Sequence, residues 1–247
     1  MTELVPNLKI NIAGMPKSGK NHIAYSFPDP IKVFCFNGGA KLVARKFPAV
    51  KIDVHDFVLP IVESTAEEWA LPIWNEFYQE YKEDACSGKY KTLILDTATE
   101  VENICQQAVL EDLQESAEEK GRRKERLATT DYLARNLRMK ALFDLAQNEG
   151  VNLVALNYLK EKWVRRADEK TATNTGELVL DGWARTESQC DLNIELSTRI
   201  KAGKKIAVAT VKSNRFDWDF DAKSFDNTTY EELYALLIEP WVEENSG

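Results

Sequence analysis

A glycine-rich segment near the amino end, GMPKSGKN at 14–21, restricts the fold of this chain more than any other feature. It follows an apolar run, Leu8 to Ala13, and leads into a helical pattern, so its glycines lie between a strand and a helix. In that setting the backbone N–H groups of the loop and the amino end of the helix are directed at the same position. A lysine ammonium can reach that position too. The pattern predicts a phosphate-binding loop lined by Gly14, Met15, Pro16, Lys17, Ser18, Gly19, Lys20, Asn21 and His22.

A carboxylate follows a second apolar run. Thr92 to Asp96 reads as a strand that ends in an acidic residue, the layout in which an aspartate helps hold magnesium beside phosphates. The alternative is that Asp96 caps the helix that follows, as is common where a strand turns into a helix. In this order and spacing the two motifs predict a nucleoside triphosphate with magnesium as the ligand.

Apolar runs alternate with helical patterns over the first two thirds of the chain. The runs are rich in branched residues, as expected of strands buried on both faces, and lie at Leu8 to Ala13, Ile31 to Phe36, Lys91 to Leu95 and Val151 to Leu156. One helix is predicted after Asp96. Another runs from about Thr130 to Glu149, capped by Thr129 or Thr130, and its apolar side comprises Leu133, Leu137, Leu142, Leu145 and Ala146. This alternation indicates an α/β fold, a mostly parallel sheet flanked by helices.

The pattern changes after residue 187. Period-two alternation predicts antiparallel strands at Asp191 to Leu196, Lys205 to Lys212 and Phe216 to Phe220. A final helix is predicted from Thr228 to Ile238, opened by a capping box of Thr228 and Glu231. Since no linker or repeat separates these parts, we predict one domain over residues 1–247 with C-terminal antiparallel strands.

Composition excludes several classes of protein. With 40 acidic and 32 basic residues the net charge is -8, which excludes a globally basic nucleic-acid coat. The four cysteines are isolated, and with only His22 and His55 a His-rich zinc site is excluded. No apolar run approaches the roughly 18 to 20 residues of a membrane span, and the start lacks the layout of a signal peptide. We expect a cytoplasmic protein with no membrane partner.

The two motifs, GMPKSGKN and KTLILDTATE, resemble those of the RecA-like P-loop ATPases. More narrowly, the chain resembles phage-encoded nucleotide-binding proteins of that group, some of which act in single-strand annealing and recombination. The resemblance covers Leu8 to about Phe220 and implies a RecA-like fold that binds ATP and Mg²⁺. It implies that Lys20 binds the β and γ phosphates, Asp96 orients magnesium and Asn157 senses the γ-phosphate.

The resemblance also implies partners, namely single-stranded DNA and further copies of the chain in a ring or filament. Lys160 to Trp183 would be a flexible loop facing DNA through Lys162, Arg165 and Arg166, and Lys212 and Arg215 would reach the nucleotide of the next subunit. If the protein is phage-encoded, it would act in the cytoplasm of a bacterial host. From the residues alone, these charges and the basic stretch Arg122 to Arg126 read equally as solvated surface. Trp163 and Trp183 could stack on unpaired bases or pack into a core.

Two departures from the family pattern bear on hydrolysis. Asn21 occupies the position of the usual Ser or Thr, where its side-chain oxygen can ligate magnesium together with Asp96 but without hydroxyl geometry. Asn37 stands where the second strand commonly ends in a glutamate that activates water, and an amide cannot accept a proton as a carboxylate does. Glu100 could substitute as a catalytic carboxylate or be a solvated helix charge. We expect slow ATP turnover.

Other functions stay open on the sequence alone. Asn21 and Asn37 also fit a degenerate P-loop interaction or scaffold protein with little or no hydrolysis. A small-molecule kinase is the third reading, and it is less favoured because no convincing lid segment or substrate site is found in the sequence.

Overall fold

The computed structural model describes residues 7–61, 68–118, 127–128, 130–164 and 171–245. Three features singled out in the sequence lie outside the described residues. These are the Thr129 cap, the basic stretch Arg122 to Arg126, and the pair Arg165 and Arg166.

The strands of the described chain form one sheet. They are β1 (Lys9–Gly14), β2 (Ile31–Cys35), β3 (Ile52–Asp56), β4 (Thr92–Asp96), β5 (Asn152–Val164), β6 (Thr173–Asp181), β7 (Leu192–Lys201), β8 (Lys204–Asn214) and β9 (Ser224–Asp226). From β3 the order is β3-β2-β4-β5-β1-β7, all parallel, and β8 and β9 then add antiparallel strands. The outer half of β5 pairs with β6 as an antiparallel hairpin.

Helices connect these strands and cover the sheet. They are α1 (Lys20–Ala24), α2 (Ala40–Ala44), α3 (Ala70–Cys86), α4 (Ala98–Glu118), α5 (Tyr132–Asn148), α6 (Thr186–Gln189), α7 (Tyr230–Leu233) and α8 (Glu239–Asn245), with a π-helical turn at Tyr234–Ile238. None of the helices within the described parts of the chain has both the length and the apolarity to cross a membrane.

Alternate residues of the parallel strands feed two apolar cores, one on each face of the sheet. On one face Phe34 and Leu153 pack with α3, α4 and α5, whose side chains include Phe77 and Leu142. On the other face Ile12 packs with α1 and with the helical segment after residue 229. Burial of both faces explains the near-continuous apolar runs of these strands. The predicted fold class, a mostly parallel sheet flanked by helices with C-terminal antiparallel strands, is confirmed.

Three local predictions near the carboxyl end and in α5 are wrong. Phe216 to Phe220 is not a strand, because Asn214 Oδ1 accepts hydrogen bonds from the N–H groups of Phe216 and Asp217 and starts a turn. The third antiparallel strand is β9 instead. The capping box lies one residue later, at Thr229 and Glu232, since the backbone at Thr229 is extended and α7 begins at Tyr230.

Two of the five residues predicted on the apolar side of α5 do not face the core. Leu133 and Leu137 are exposed, whereas Leu142 and Ala146 are buried as predicted, together with Met139 and Phe143. Only the second half of α5 therefore faces the core.

The segment Lys160 to Trp183, predicted as a flexible loop, is largely a β-hairpin in its described residues. Tyr158 lies opposite Asp181, and Val164 lies opposite Thr173. An exposed two-stranded ribbon buries neither face fully, so it leaves no clear apolar period in the sequence. The idea that Trp183 stacks on bases is wrong, because its side chain is buried and its indole N–H donates to Asn136.

Candidate nucleotide-binding site

Four strand ends bring the predicted site residues to one edge of the sheet. Parallel pairing sets Cys35 of β2 beside Asp96 of β4, Asp96 beside Leu156 of β5, and Asn157 of β5 beside Ala13 of β1. The loop after β1, the loop after β2 and the end of β4 therefore meet at the carboxyl edge, where open α/β sheets bind ligands.

The loop between β1 and α1 depends on its glycines. Gly19 has φ +100°, a left-handed conformation that side chains rarely adopt. A Cβ on Gly14 would lie 2.8 Å from the Leu196 carbonyl oxygen and 2.6 Å from Ser18 Oγ. Glycine is thus required at 19 by the backbone conformation and at 14 by close packing against β7.

Lys20 is buried under this loop. Its Nζ donates to the carbonyl oxygens of Gly14 at 2.7 Å and Met15 at 3.1 Å, and lies 4.6 Å from the centre of the Tyr158 ring. Burial lowers the pKa of Lys20 to about 8, although the nearby Asp96 carboxylate acts in the opposite direction. An anionic ligand at the loop would offer the ammonium a stronger acceptor than a carbonyl.

Asp96 is held by two asparagine amides. Asn21 Nδ2 lies 2.6 Å from Asp96 Oδ2, and Asn37 Nδ2 lies 3.2 Å from Asp96 Oδ1. Burial raises the pKa of Asp96, whereas the two amides and Lys20 favour its charged form. Hydrogen bonds to a charged group each contribute about 1.5–3 kcal/mol, so the two amides hold the carboxylate in place.

The residues fit a magnesium ion after one change. Magnesium takes oxygen ligands, and Asp96 offers a carboxylate at the strand end beside Lys20. Asn21 offers an oxygen only if its amide turns, because its nitrogen now faces Asp96. The donor set therefore suits magnesium once Asn21 has given up its bond to Asp96.

Two other predicted residues lie on α4 and on β5, and their roles stay predictions. Glu100 is in the first turn of α4, half-buried, and its Oε2 accepts from Asn103 at 3.4 Å. Asn157 is fully buried, and its amide donates to Asn11 at 2.9 Å.

A cavity of about 460 Å³ opens on the side of the loop next to the β7–β8 hairpin. Apolar side chains of Ile23, Phe47 and Ile206 line it, and the His22 ring meets Phe47 edge to face at 5.7 Å. The remaining lining is Lys17, Ser18, Gly19, Ser26, Thr198, Lys205, Ala207, Asn227, Thr228 and Thr229. Among these, the hydroxyls of Ser18 and Thr228 are buried with no hydrogen-bond partner in the described part of the chain.

Sequence reasoning missed Tyr158, Phe47 and Thr228. Each reaches the loop from a distant part of the chain, and no local spacing marks it. The one available signal was the position of Tyr158 directly after Asn157 at a predicted strand end.

The predicted DNA contact Lys162 lies on the β5–β6 hairpin. Its ammonium pairs with Glu177 at 2.7 Å, and Lys160 pairs with Asp181 at 2.8 Å. Trp163, the residue after Lys162 on β5, is 60% exposed. The hairpin therefore exposes an aromatic ring and also carries cross-strand ion pairs.

The predicted trans-acting residues are paired within the chain. Lys212 lies 3.2 Å from Glu195, and Arg215 lies 2.9 Å from Asp191. Asp191 precedes β7 and also accepts from the backbone N–H of Lys9. Arg215 is thus at the amino end of β1, opposite the end that carries the phosphate-binding loop.

A glycine loop between a strand and a helix, a buried lysine and a carboxylate on a neighbouring strand end together define a P-loop nucleotide-binding domain. The family model described as AAA domain matches residues 6–218, and the chain belongs to that family. Among solved structures, it is similar to a KaiC-like protein of the hyperthermophilic archaeon Pyrococcus horikoshii OT3. The TM-score is 0.48 at 14% identity, over 89% of this chain and 84% of that chain. No curated protein sequence gives a significant match.

Proposed function

We propose that the protein binds ATP, with the phosphates on the loop at Lys20 and the base in the adjoining cavity. The observation that carries the proposal is the buried Lys20 ammonium under the glycine-containing loop. It donates to two loop carbonyl oxygens and lies against an aromatic ring. The cavity that includes Lys17, Gly19 and Phe47 is large enough for a purine and has an aromatic wall.

Magnesium belongs to this proposal as the ion that P-loop ATPases generally bind with nucleotide. Asp96 and the turned Asn21 amide would hold it, and it would neutralise charge on the phosphates. The residues of the chain that meet the nucleotide directly are then Lys20 and the loop backbone.

Slow hydrolysis is the second part of the proposal. Asn37 is placed against Asp96, and an amide can orient a water molecule but cannot take its proton. Glu100 is the carboxylate that we propose as its substitute. Turnover at the rate of ordinary ATPases, under saturating ATP and magnesium, would count against this part.

Thermal melting with ATP and magnesium tests the nucleotide site, because a ligand that binds only the folded state raises the melting temperature. The wild type should show a rise that Lys20→Ala loses. Lys91→Ala, an exposed lysine before β4, should keep the rise. The readout is the shift caused by ligand, so a change in the intrinsic stability of Lys20→Ala does not confuse it.

We propose single-stranded DNA as the partner, in recombination, annealing or replication of a phage, with the β5–β6 hairpin as contact. The exposed Trp163 ring, next in sequence to Lys162, supports it, since stacking on a base contributes about 1–3 kcal/mol. Arg165 and Arg166, which follow Val164 in sequence, complete the proposed contact. Anisotropy of a labelled oligonucleotide should show binding that weakens steeply with salt and that Trp163→Ala reduces.

A ring or filament of this chain is part of the same proposal. Arg215 and the P-loop lie at opposite ends of β1, an arrangement that suits head-to-tail stacking in which Arg215 and Lys212 approach the nucleotide of a neighbour. Sedimentation with and without ATP and oligonucleotide checks it. If melting responds to neither ligand, the scaffold alternative, which Asn21 and Asn37 favour, replaces the proposal.

A further inference from the structure

The group formed by Asp96 with the amides of Asn21 and Asn37, called here the amide clamp, differs from the usual surroundings of a P-loop carboxylate. Each oxygen of Asp96 faces a different amide nitrogen, Asn21 Nδ2 at 2.6 Å and Asn37 Nδ2 at 3.2 Å. The two asparagines come from α1 and from the loop after β2. The carboxylate is therefore held from two sides by neutral donors of the chain itself.

The orientation of both amides follows from their neighbours. Asn37 Oδ1 accepts from the backbone N–H of Gly39 at 3.1 Å and from the Cys35 thiol at 3.5 Å, so its nitrogen must face Asp96. If Asn21 were turned, its amide oxygen would lie against a carboxylate oxygen, which is repulsive without a cation between them. The clamp as observed is thus the favoured state when no cation is present.

This arrangement makes magnesium compete with the protein. A Ser or Thr hydroxyl after the P-loop lysine can ligate magnesium through oxygen while its proton still points to a carboxylate. An amide nitrogen cannot ligate a cation. Magnesium must therefore displace the Asn21 nitrogen from Asp96 and turn that amide before it gains its ligands, and part of its binding free energy is lost.

Positive charge from the chain is available to the phosphates without a metal. Lys20 lies under the loop, and Lys17 and Lys205 line the cavity beside it. Lys205 Nζ reaches the carbonyl of Lys17 at 3.4 Å across the cavity mouth. Lys20 thus borders the position of the phosphates and two further ammonium groups lie at the adjoining cavity, while the amides hold Asp96.

We propose that the amide clamp makes nucleotide binding by this protein nearly independent of magnesium. The inference rests on the proposed nucleotide site and adds how that site responds to the ion. Asn21 is the residue that sets the response, because it alone combines the P-loop position with a donor on Asp96. A hydroxyl residue in its place turns the site into one that needs the ion.

The test is the dissociation constant for ATP, measured by calorimetry with excess magnesium and with EDTA. For the wild type the two values should differ by less than about threefold, whereas for Asn21→Thr they should differ by more than about tenfold. Asn37→Asp should also become dependent on magnesium, because two adjacent carboxylates recruit a divalent cation. Asn148→Thr, a matched change at an exposed position at the end of α5, should behave as the wild type.

The outcomes separate the two claims. Binding by the wild type only with magnesium overturns the inference and keeps the nucleotide site. No binding under either condition overturns the proposed function itself. A magnesium response of Asn21→Thr equal to that of the wild type, in a variant whose circular dichroism is unchanged, removes Asn21 from the inference and overturns it in this form.

Discussion

The ammonium of Lys20 lies 4.6 Å from the centre of the Tyr158 ring, so β5 covers the P-loop lysine with an aromatic face. The strand continues past the carboxyl edge of the sheet, which places Tyr158 one residue beyond the buried Asn157. Cation–π contacts of this kind contribute about 0.5–2 kcal/mol, more when the cation is desolvated. Tyr158 therefore helps to hold Lys20 in the protein without ligand.

The contact predicts a difference between two substitutions of Tyr158. Tyr158→Phe keeps a ring over Lys20 and should change the free energy of unfolding by less than about 0.5 kcal/mol, whereas Tyr158→Leu should lower it by about 1 kcal/mol. Urea denaturation of both variants measures this. Equal losses would show that the ring face contributes nothing and that Tyr158 acts through its hydroxyl, which accepts from Asn37 Nδ2 at 3.4 Å.

The lowered pKa of Lys20 predicts a pH dependence of ATP binding. Burial sets this pKa at about 8, so in the free protein the ammonium loses its proton as the pH rises through that value. Bound phosphate favours the charged form, so binding at about pH 9 should take up a proton and weaken as the pH rises further.

Calorimetry at about pH 9 in two buffers with different ionisation enthalpies measures the proton uptake. The wild type should give different heats in the two buffers. Lys20→Arg, which stays charged, should give equal heats. Equal heats for the wild type would mean that Lys20 is already charged at this pH.

The sequence was sufficient for the part of the site that local chemistry determines. Glycine is needed at 14 for a close backbone approach and at 19 for a left-handed turn. Both glycines lie within one short segment of the sequence. Asp96 follows from an apolar strand that ends in an acid. The parallel sheet follows from runs buried on both faces, since such runs are near-continuous in hydrophobicity.

Contacts between distant segments were not predictable in the same way. The amide clamp joins Asn21 and Asn37 to Asp96 across 75 and 59 residues of chain, and no period or spacing in the sequence encodes these bonds. The β5–β6 hairpin escaped notice because its stability comes from cross-strand polar pairs on an exposed ribbon. Each was interpreted in the sequence as an isolated polar residue or a loop.

Close packing at Gly14 predicts a loss of stability on adding one methyl group. The Cβ of Gly14→Ala would lie 2.8 Å from the Leu196 carbonyl oxygen, a backbone atom of β7 that cannot move aside alone. Overpacking of this kind costs about 1–3 kcal/mol. Gly39→Ala is the matched control, because its backbone has φ −98° and the nearest atom to its Cβ is 3.6 Å away. Urea denaturation should show the loss for Gly14→Ala only, and similar losses for both would contradict the packing argument.

A buried carboxylate of α4 caps the amino-terminal end of α3. Removing this one side chain is therefore expected to destabilise the protein strongly. Glu111 accepts hydrogen bonds from the backbone N–H groups of Trp69, Ala70 and Leu71 at 2.7–3.1 Å, while Trp69 provides no side-chain cap. Those N–H groups have no partner within the helix, and losing their charged acceptor costs about 2–4 kcal/mol. Glu111→Ala should lower the free energy of unfolding by that amount, and Glu83→Ala, an exposed acid on α3, by less than about 0.5 kcal/mol. Hydrogen exchange at 69–71 should speed up selectively in Glu111→Ala if the carboxylate is the cap; unchanged protection there would show that the first turn of α3 is held by packing alone.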